Sequence, residues 1–586
     1  MKKIINSPEQ LVLEMCSGIA LTNPELELIS KYKILKKKKI NKDKVSIISG
    51  GGSGHEPAHA GYIGKGMLDA AVCGDVFASP SQIQIYQAIK AVAGEKGVLL
   101  VIKNYSGDIM NFKNAAAMAK EDGIKVDYVK VDDDIAVKDS LYTVGRRGVA
   151  GTVFVHKIAG AAAEAGKSLE EVKRIAEEAA SKVRSIGFAF SPCTVPAKGS
   201  PTFILEEDEM EYGVGIHGEP GIRREKLVSA DELAKRMIAS LSKELELKEK
   251  EGEQVALMVN GFGGTPLMEL YILNQAIQRE LAKQKTRVYR CFVGNFMTSI
   301  EMAGASVSLL KVEEGSKIEE LLDAPCHTLG LQVDGPVEKI TYVDYLDKSI
   351  EKNEIKEKVL SSEASLIKEN ITIENMQFIL QVMTESILKN EVPFCELDAH
   401  AGDGDFGMSI AKGFRELKKE WNSIVSQESL TIGKLLSESS LIIMEYCGGA
   451  SGPIWGSAFR AAGKTVGEKE TLAIEDFAEM MQAAVKAIQT TGERSFGRGA
   501  VVGDKTLIDA LIPCANSWST LDNSCDFIEA FKMGAKAAIK GAKATEEFSA
   551  KMGRAGTVGD RSIGYPDAGA YALGVIFTDI TESLTK

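Results

Sequence analysis

The chain has 586 residues, of which 44% are hydrophobic and 26% charged, and its formal net charge is −12. Because a single hydrophobic core stops growing at about 250 to 300 residues, this length predicts two or three domains of a globular protein. The negative charge disfavours binding to nucleic acids or anionic membrane surfaces, which are themselves negatively charged.

The first residues, MKKIINSPEQ, lack the apolar segment of a signal peptide. No run of about 18 apolar residues follows, so the sequence predicts no membrane-spanning helix. We therefore expect a cytoplasmic protein. The nine cysteines are scattered without a CxxC pair, which indicates reduced and mostly buried thiols.

The chain up to about residue 340 alternates short β-branched apolar runs with alanine-rich stretches. The clearest runs are 45–49, 98–104, 125–131 and 255–260. This alternation is typical of a parallel or mixed sheet covered by helices. We predict an α/β domain over residues 1–346, with a possible division into two α/β subdomains near residue 185.

Three turns in this part of the chain combine glycines with polar side chains. They are GGGSGHEP (50–57), KNYSGD (103–108) and GIHGEPG (215–221). Ligands of open α/β sheets bind at the carboxyl ends of strands, where the first two turns lie. The first string fits neither the dinucleotide-binding pattern nor a phosphate-binding P-loop, and taken alone it is more often structural.

Two side chains in these turns are candidates for catalysis. Asp108 is a candidate general base, although this segment by itself favours a helix-capping role. His217 stands among glycines, and a neutral imidazole can add to a ketone carbonyl to form a covalent hemiaminal. Such a bond would select carbonyl compounds over alcohols such as glycerol.

Beyond residue 346 the character of the sequence changes. Residues 347–370 are polar and charged, without glycine or proline, and we predict a linker there. From Met376 to Ile387 apolar residues recur at helical spacing, and similar patterns follow at 430–447, 471–490, 503–512 and 525–541. We predict an all-α domain over residues 371–586.

This second domain contains an acidic, glycine-rich segment. Asp398, Asp403 and Asp405 place three carboxylates within eight residues, with no lysine or arginine between them. Magnesium typically takes one or two carboxylates together with substrate phosphates, and the spacing is not that of an EF-hand. We predict a metal site, with an exposed acidic turn as the alternative, and His400 in the same segment has no assigned role.

Further glycine-rich turns follow the acidic segment. They are GGASGP (448–453), GRG (497–499), GDKT (503–506), GRAG (553–556) and PDAG (566–569). Each is a weak signal alone. Together, in a helical domain, they indicate loops gathered at one end of a bundle, where a nucleotide would bind.

Taken in order, the strings GGGSGHEP, KNYSGD, GIHGEPG, AGDGDFG, GGASGP, GDKT and SIGYPDAGA resemble the dihydroxyacetone kinase family. The resemblance is to its single-chain form, a K domain followed by an L domain, and spans nearly the whole chain. It implies an eight-helix barrel for the L domain. It also implies phosphorylation of dihydroxyacetone by ATP with Mg²⁺, a place in glycerol metabolism, and a homodimer in which one chain's L domain faces the other's K domain.

The resemblance implies roles for individual residues as well. His217 would form the hemiaminal, with His55 and Asp108 taking the proton from the attacking hydroxyl. The implied ketone contacts are Gly52, Ser53, Gly54, His55, Lys103 and Asp108. The implied magnesium ligands are Asp398, Asp403 and Asp405. The implied nucleotide contacts are Gly407, Met408, Ser409, Ile410, Ala450, Ser451, Gly499, Leu507, Asp567, Ala568 and Gly569.

Three alternatives stay open at this point. Some relatives also cyclise FAD to FMN-cyclic phosphate with manganese, using the same acidic segment. In others the K and L domains are separate chains, and a phosphoprotein recharges an ADP that the L-type subunit retains. The substrate itself is open among dihydroxyacetone, glyceraldehyde, erythrulose and other short ketoses, because they share the carbonyl and hydroxyl groups that these residues address.

Overall fold

The computed structural model describes residues 2–137, 145–219, 221–248, 252–345, 364–521, 524–553, 556 and 558–584. The chain divides into two compact units, unit 1 (Met1–Asp347) and unit 2 (Lys348–Lys586). The linker predicted over residues 347–370 lies outside the described residues as far as residue 363, and residues 364–370 form turns and irregular structure. Within the described ranges, no helix has the length and apolar character needed to cross a membrane.

Unit 1 is built from strands and helices that alternate along much of the chain. The strands are β1 (Leu26–Ile29), β2 (Ile34–Lys37), β3 (Ser46–Ser53), β4 (Ala70–Val76), β5 (Val98–Lys103), β6 (Val126–Val131), β7 (Val183–Ala189), β8 (Glu209–Tyr212), β9 (Arg223–Lys226), β10 (Gln254–Gly261), β11 (Arg287–Gly294), β12 (Gly304–Val312), β13 (Cys326–His327) and β14 (Gln332–Val333). The helices are α1 (Leu11–Thr22), α2 (Gln82–Val92), α3 (Ser106–Glu121), α4 (Thr152–Glu164), α5 (Leu169–Ser181), α6 (Ala230–Glu244), α7 (Leu267–Lys283) and α8 (Lys317–Asp323).

The first sheet of unit 1 has the strand order β1-β2-β4-β3-β5-β6, with β4, β3, β5 and β6 mutually parallel. Its strands bury both faces. Ile48 and Leu100 pack with residues of α2 and α3, whereas Ile47 and Leu99 belong to the core that includes α4 and α5. Residues apolar on both faces are what a parallel sheet between two helical layers requires.

The second sheet has the order β11-β10-β12-β7-β8-β9 and is mostly antiparallel. Helices α6 and α7 pack on one face, and Ala256 and Met258 of β10 join the same core as α4. The chain enters this sheet at β7, close to residue 185. The predicted α/β architecture is confirmed, and the four predicted apolar runs coincide with β3, β5, β6 and β10.

The regular elements of unit 2 are helices, apart from one isolated β-bridge between Ile371 and Leu472, in its described residues. Its helices are α9 (Ile373–Lys389), α10 (Glu391–Asp398), α11 (Phe406–Val425), α12 (Ile432–Tyr446), α13 (Ser451–Val466), α14 (Ile474–Phe496), α15 (Ile508–Ser519), α16 (Phe527–Ala544) and α17 (Ala568–Leu584). The eight longer helices pack in a closed ring: α9, α11, α12, α13, α14, α15, α16 and α17, with α17 returning to α9. The predicted all-α domain and the implied eight-helix barrel are confirmed.

The helix pattern predicted over 503–512 begins too early. Helix α15 starts at Ile508, because the preceding residues form a turn in which Lys505 adopts a positive φ of 61°. All nine cysteines are free, and Cys16, Cys73, Cys193, Cys326, Cys447 and Cys514 are buried, as predicted.

Candidate functional site

In unit 1, the ends of β3 and β5 bring the first two glycine-rich turns together. A Cβ atom at Gly52 would lie 2.6 Å from the backbone nitrogen of Ala78, so only glycine fits this close approach. Gly54 has φ +102° and packs against the ring of Phe77. The same ring stacks on His55, with centroids 5.1 Å apart. The glycines therefore allow the close packing at the end of β3 that places His55 against Phe77.

His55 meets His217 from the third turn. Their Nε2 atoms are 3.1 Å apart. His55 Nδ1 lies 2.8 Å from the carbonyl oxygen of Thr298, and His217 Nδ1 lies 3.0 Å from Glu219 Oε1. Both Nδ1 atoms face acceptors and therefore carry protons. Two neutral imidazoles would then point lone pairs at each other, so the Nε2 contact must hold one shared proton.

The surroundings decide where that proton belongs. Burial, with contributions from Lys103 and His217, holds the pKa of His55 well below its ordinary value. Burial raises the pKa of Glu219, but the His217 imidazole and the Arg147 guanidinium outweigh it and hold that pKa well below the usual range for a carboxyl. His55 therefore resists taking up the shared proton, while the ionised carboxylate of Glu219 faces Nδ1 of the other ring.

Aromatic rings fix the orientation of His217. The rings of Phe77 and Tyr105 stand edge-on to it, with centroids at 5.0 Å and 4.6 Å and interplanar angles of 88° and 90°. The backbone N–H of His217 also donates to Glu219, at 2.8 Å. The side chain of His217 is 18% exposed. A small molecule can therefore reach the imidazole, while its contacts with Phe77, Tyr105 and Glu219 fix its orientation.

Asp108 lies in the first turn of α3 but does not cap the helix. The N-cap position is Tyr105, and no side chain there forms a capping hydrogen bond. Asp108 is instead buried, with Oδ1 accepting a hydrogen bond from Ser79 Oγ at 2.5 Å. Lys103 Nζ lies 3.6 Å from Asp108 Oδ2 and has no hydrogen-bond partner among the described residues. The helix-capping interpretation of Asp108 is therefore not supported.

A cavity of about 620 Å³ opens in front of these groups. Its lining consists of Gly52, Phe77, Ser79, Tyr105, Ser106, Gly107, Asp108, Lys198, Thr202, His217, Gly218 and Glu219. Of the residues predicted to contact the ketone, Gly52 and Asp108 line this cavity together with His217. Ser53, Gly54, His55 and Lys103 do not, and the Ser53 hydroxyl donates to the carbonyl of Gly74 at 2.8 Å.

In unit 2, the acidic segment joins α10 to α11. Asp398, Asp403 and Asp405 each offer a carboxylate oxygen, and these oxygens lie within 4.8 Å of one another. Asp398 Oδ2 accepts a hydrogen bond from the backbone N–H of Gly404 at 2.9 Å. A close set of carboxylate oxygens fits a hard divalent cation such as Mg²⁺.

A pocket of about 250 Å³ adjoins the three carboxylates. Its other lining residues include the turn Gly448–Ser451 at the start of α13, where backbone N–H groups suit phosphate oxygens. The apolar part of the lining contains Ile454, Trp455, Ile488, Phe496, Leu507, Ile508 and Met552. An acidic metal site, a glycine-rich turn at a helix start and an apolar wall together suit a nucleoside polyphosphate.

Seven of the predicted nucleotide contacts line this pocket: Ser409, Ala450, Ser451, Leu507, Asp567, Ala568 and Gly569. Gly407, Met408, Ile410 and Gly499 do not. On α11 the pocket-facing residues are Phe406 and Ser409, three apart as helical spacing requires. Gly407 faces α10 instead, where a Cβ atom would lie 2.0 Å from the carbonyl oxygen of Glu391.

Asp567 lines the pocket, and the pKa of its carboxyl group is raised. Burial, with Asp509 and Asp398 nearby, raises the pKa of Asp567 to about 7. Its Oδ1 accepts a hydrogen bond from the backbone N–H of Ala570 at 2.8 Å, at the start of α17. A neutral carboxyl repels phosphate less than an ionised one does.

Lys505 organises the loop that forms this side of the pocket. Its buried Nζ lies within hydrogen-bond distance of four backbone carbonyls, which share its three N–H donors: those of Thr545 (2.8 Å), Phe548 (3.1 Å), Ser562 (2.6 Å) and Tyr565 (2.7 Å). The ring of Tyr565 stacks on His400 of the acidic segment, with centroids 3.7 Å apart. Lys505 therefore anchors a loop rather than offering its charge to phosphate, and His400 packs against that loop.

Replacing Lys505 by methionine is expected to lower the free energy of unfolding of unit 2 by about 3 kcal/mol, because four carbonyls lose a buried donor. Thermal denaturation followed by circular dichroism measures this. Lys464→Met, at an exposed position on α13, is the matched control and should change the midpoint little. An unchanged midpoint for Lys505→Met would contradict the anchoring role.

Sequence reasoning missed several residues of the ketone cavity. Glu219 stands two residues after His217 in the same glycine-rich string, and this His-x-Glu spacing was a usable signal. Phe77, Ser79 and Thr298 carry no local signal, because they reach the site only through the packing of distant segments.

Both units have counterparts among known proteins. The chain matches the Dak1 domain over residues 17–330 and the DAK2 domain over residues 400–582. It is 35% identical to the triokinase/FMN cyclase of Rattus norvegicus over 596 residues, covering 100% of this chain and 99% of the relative. It is 50% identical over 330 residues to the dihydroxyacetone-binding subunit DhaK of the PTS-dependent dihydroxyacetone kinase 1 of Listeria innocua, covering 56% of this chain and 99% of that subunit.

Among solved structures, the dihydroxyacetone kinase from C. freundii in complex with AMP-PNP and Mg²⁺ matches with a TM-score of 0.59 and 31% sequence identity, covering 99% of both chains. The likeness to this kinase and to the rat relative extends over the whole length, and the Dak1 match alone spans more than half of the chain. This chain is therefore a member of the dihydroxyacetone kinase family, with a Dak1 and a DAK2 domain in one polypeptide.

Proposed function

We propose that this chain phosphorylates dihydroxyacetone to dihydroxyacetone phosphate with ATP and Mg²⁺. The observation that carries the proposal is His217, an imidazole oriented by Glu219 and paired with His55 on the wall of a cavity. The names of the full-length relatives support it. We assign unit 1 to the K domain, residues 1–346, and unit 2 to the L domain, residues 371–586.

Ketone capture follows from the protonation of the histidine pair. When the shared proton lies on His55 Nε2, 3.1 Å from His217 Nε2, the lone pair of His217 is free. That lone pair attacks the carbonyl carbon, a C–N bond forms, and the π electrons move to the oxygen. His55 then gives its proton to that oxygen, while Glu219 stabilises the positive imidazole through Nδ1. The product of this step is a neutral hemiaminal hydroxyl on a tethered substrate.

Tethering explains selectivity for carbonyl compounds. Glycerol has the same three carbons and hydroxyls but no carbonyl carbon for His217 to attack, so it gains none of the covalent stabilisation. Dihydroxyacetone is glycerol oxidised at its central carbon, and this preference is what a kinase acting after that oxidation in glycerol metabolism needs.

For phosphoryl transfer, we assign Asp108 as the base for the attacking hydroxyl. Asp108 lines the cavity, whereas the Nε2 proton of His55 is already used for the carbonyl oxygen. Ser79 and Lys103 hold the Asp108 carboxylate in place. Such positioning provides much of the catalysis in phosphoryl transfer.

In unit 2, Asp398, Asp403 and Asp405 would hold Mg²⁺, which neutralises charge on the phosphates when bound. The Gly448–Ser451 turn offers backbone N–H groups to the phosphates, and the apolar lining excludes water from the base.

One assay tests the proposed activity. Purified chain is given ATP and Mg²⁺ with dihydroxyacetone, glyceraldehyde, erythrulose or glycerol, and ADP release is measured with each. We expect turnover with the carbonyl compounds, fastest with dihydroxyacetone, and turnover with glycerol at least about 100-fold slower. Turnover with glycerol equal to that with the ketones would contradict the proposal.

The residues for the ketone and for the nucleotide belong to different units, so transfer requires them to meet. We propose that they do so in a homodimer, the L domain of one chain serving the K domain of the other. Mixing chains inactivated at His217 with chains inactivated at Asp403 should then restore activity, because one combination has both residues intact. No recovery in a mixed, refolded sample would contradict transfer between chains.

A second activity is suggested by the relative named triokinase/FMN cyclase, which matches the full length. It would use the same acidic segment, with manganese, to split FAD into AMP and FMN-cyclic phosphate. Incubation with FAD and Mn²⁺ followed by chromatography tests it. Formation of the cyclic product that is lost in Asp403→Ala would support this activity, and intact FAD would exclude it.

A further inference from the structure

A buried guanidinium lies beside the carboxylate that orients His217. A Cβ atom on Gly215 would be 2.2 Å from Glu219 Oε2 and 2.6 Å from Arg147 Nη1. The carboxylate and the guanidinium nitrogen therefore approach one point, which stays open only because residue 215 is glycine. Opposite charges this close interact strongly where water is excluded.

Arg147 is held rigidly in this position. Its Nε donates to Asp134 Oδ2 at 2.8 Å, and its Nη2 lies 2.7 Å from the same oxygen. Nη2 also donates to the carbonyl oxygen of Gly213 at 2.8 Å, in the strand-to-turn segment that leads to His217. Arg147 and Asp134 are both buried, so the positive charge beside Glu219 cannot move away without breaking this pair.

Ketone capture makes this fixed charge necessary. In the resting site the His217 imidazole and the Arg147 guanidinium both lower the pKa of Glu219, which also lies beside the Tyr105 side chain. When the proton shared by the two Nε2 atoms lies on His55, His217 is neutral and Arg147 is the positive charge that remains beside Glu219. Burial then favours the protonated form of Glu219. A protonated Glu219 could donate to His217 Nδ1, which would place the remaining imidazole proton on Nε2 and block attack.

We propose that Arg147, held by Asp134, is a positioning residue that keeps Glu219 ionised, so that His217 keeps its proton on Nδ1 and presents a free Nε2 to the carbonyl. This inference requires the part of the proposed function in which His217 captures a ketone. It does not require phosphoryl transfer. It assigns a task to a buried ion pair that has no contact with the cavity.

The test replaces Arg147 by glutamine and measures dihydroxyacetone affinity by calorimetry without ATP, from about pH 6 to about pH 9. We expect about 10- to 100-fold weaker binding than wild type at the low end, because the carboxyl of Glu219 then takes up a proton. The ratio of the affinity of Arg147→Gln to that of wild type should approach one as pH rises, since Glu219 ionises at high pH even without Arg147. The kcat/KM for dihydroxyacetone should follow the same pH dependence.

Two comparisons separate this role from a purely structural one. Arg147→Lys restores a positive charge, and its affinity ratio to wild type should stay flat with pH. Arg290→Gln removes a buried arginine of the same unit that pairs with Asp323 at 2.8 Å, and it should also give a flat ratio. If Arg147→Gln does not fold, the same measurements are made on the double variant Arg147→Gln with Asp134→Asn, which removes both buried charges.

A folded Arg147→Gln variant whose affinity ratio is flat with pH would overturn the inference. If wild-type protein binds dihydroxyacetone but transfers no phosphoryl group, the kinase proposal fails. The Arg147→Gln comparison then still tests whether Arg147 keeps Glu219 ionised. If wild-type protein binds no carbonyl compound at any pH, both proposals are contradicted.

Discussion

Replacement of His217 by alanine is expected to weaken dihydroxyacetone binding about 100-fold, or about 2.7 kcal/mol, and to remove most discrimination against glycerol. The variant cannot form the C–N bond, so the substrate keeps only its hydrogen bonds to the cavity wall. Ketone and alcohol then differ little in the contacts they make. Calorimetry gives the affinity, and ADP release gives kcat/KM for dihydroxyacetone and glycerol.

Removing the imidazole also leaves Glu219 and His55 without their partner. His217→Gln therefore accompanies the alanine variant, because its amide can donate to Glu219 but cannot capture a ketone. His327→Ala changes an exposed histidine of the same unit and should leave affinity and selectivity as in wild type. Wild-type affinity and continued rejection of glycerol in both His217 variants would show that the tether does not select the substrate.

Replacement of Asp403 by alanine is expected to lower kcat about 1000-fold, while dihydroxyacetone affinity stays within about twofold of wild type. Asp403 supplies one of three clustered carboxylates, and weaker Mg²⁺ binding removes the charge that phosphoryl transfer depends on. The ketone cavity lies in the other unit, so its contacts are unaffected. A magnesium titration of ATP turnover, together with calorimetry on dihydroxyacetone, measures both effects.

Asp403 is the most exposed of the three aspartates, so its loss should not disturb the fold. Glu445→Ala removes an exposed acidic side chain from α12 of the same unit and controls for the change in net charge. A variant that turned over ATP at the wild-type rate with the wild-type Mg²⁺ requirement would refute the metal assignment.

The architecture was accessible from the sequence because it depends on local patterns. Apolar runs of five to seven residues predicted the strands around residues 48 and 100, since a strand buried on both faces needs an unbroken apolar run. The face from Met376 to Ile387 predicted α9 by its helical spacing. Such patterns depend on the immediate surroundings of each residue, which is why they were sufficient to predict the fold class.

The site was only partly accessible, because its geometry depends on contacts between distant segments. His217 and Asp108 stand in turns whose composition predicted a ligand site. Thr298, whose carbonyl contacts His55, and Ser79, which donates to Asp108, come from segments with no distinguishing pattern. Arg147 is likewise an ordinary residue in the sequence, and only packing places it beside Glu219.

The nucleotide pocket shows a second limit of sequence reasoning. A segment can be assigned to a site while its individual residues are assigned to the wrong face. Ser409 lines the pocket, but its neighbours Met408 and Ile410 do not, because adjacent residues on a helix point about 100° apart. The start of α11 at Phe406, which sets that register, was not readable from the loop composition.

The most direct test of covalent capture by His217 uses nuclear magnetic resonance. Dihydroxyacetone labelled with carbon-13 at the carbonyl is added to protein labelled with nitrogen-15 in its histidines, without ATP. We predict that the bound carbonyl carbon becomes tetrahedral and shows coupling to one imidazole nitrogen, and that His217→Ala abolishes this signal. A saturated wild-type complex in which the bound carbon keeps its carbonyl resonance, with no coupling to nitrogen, would contradict the account.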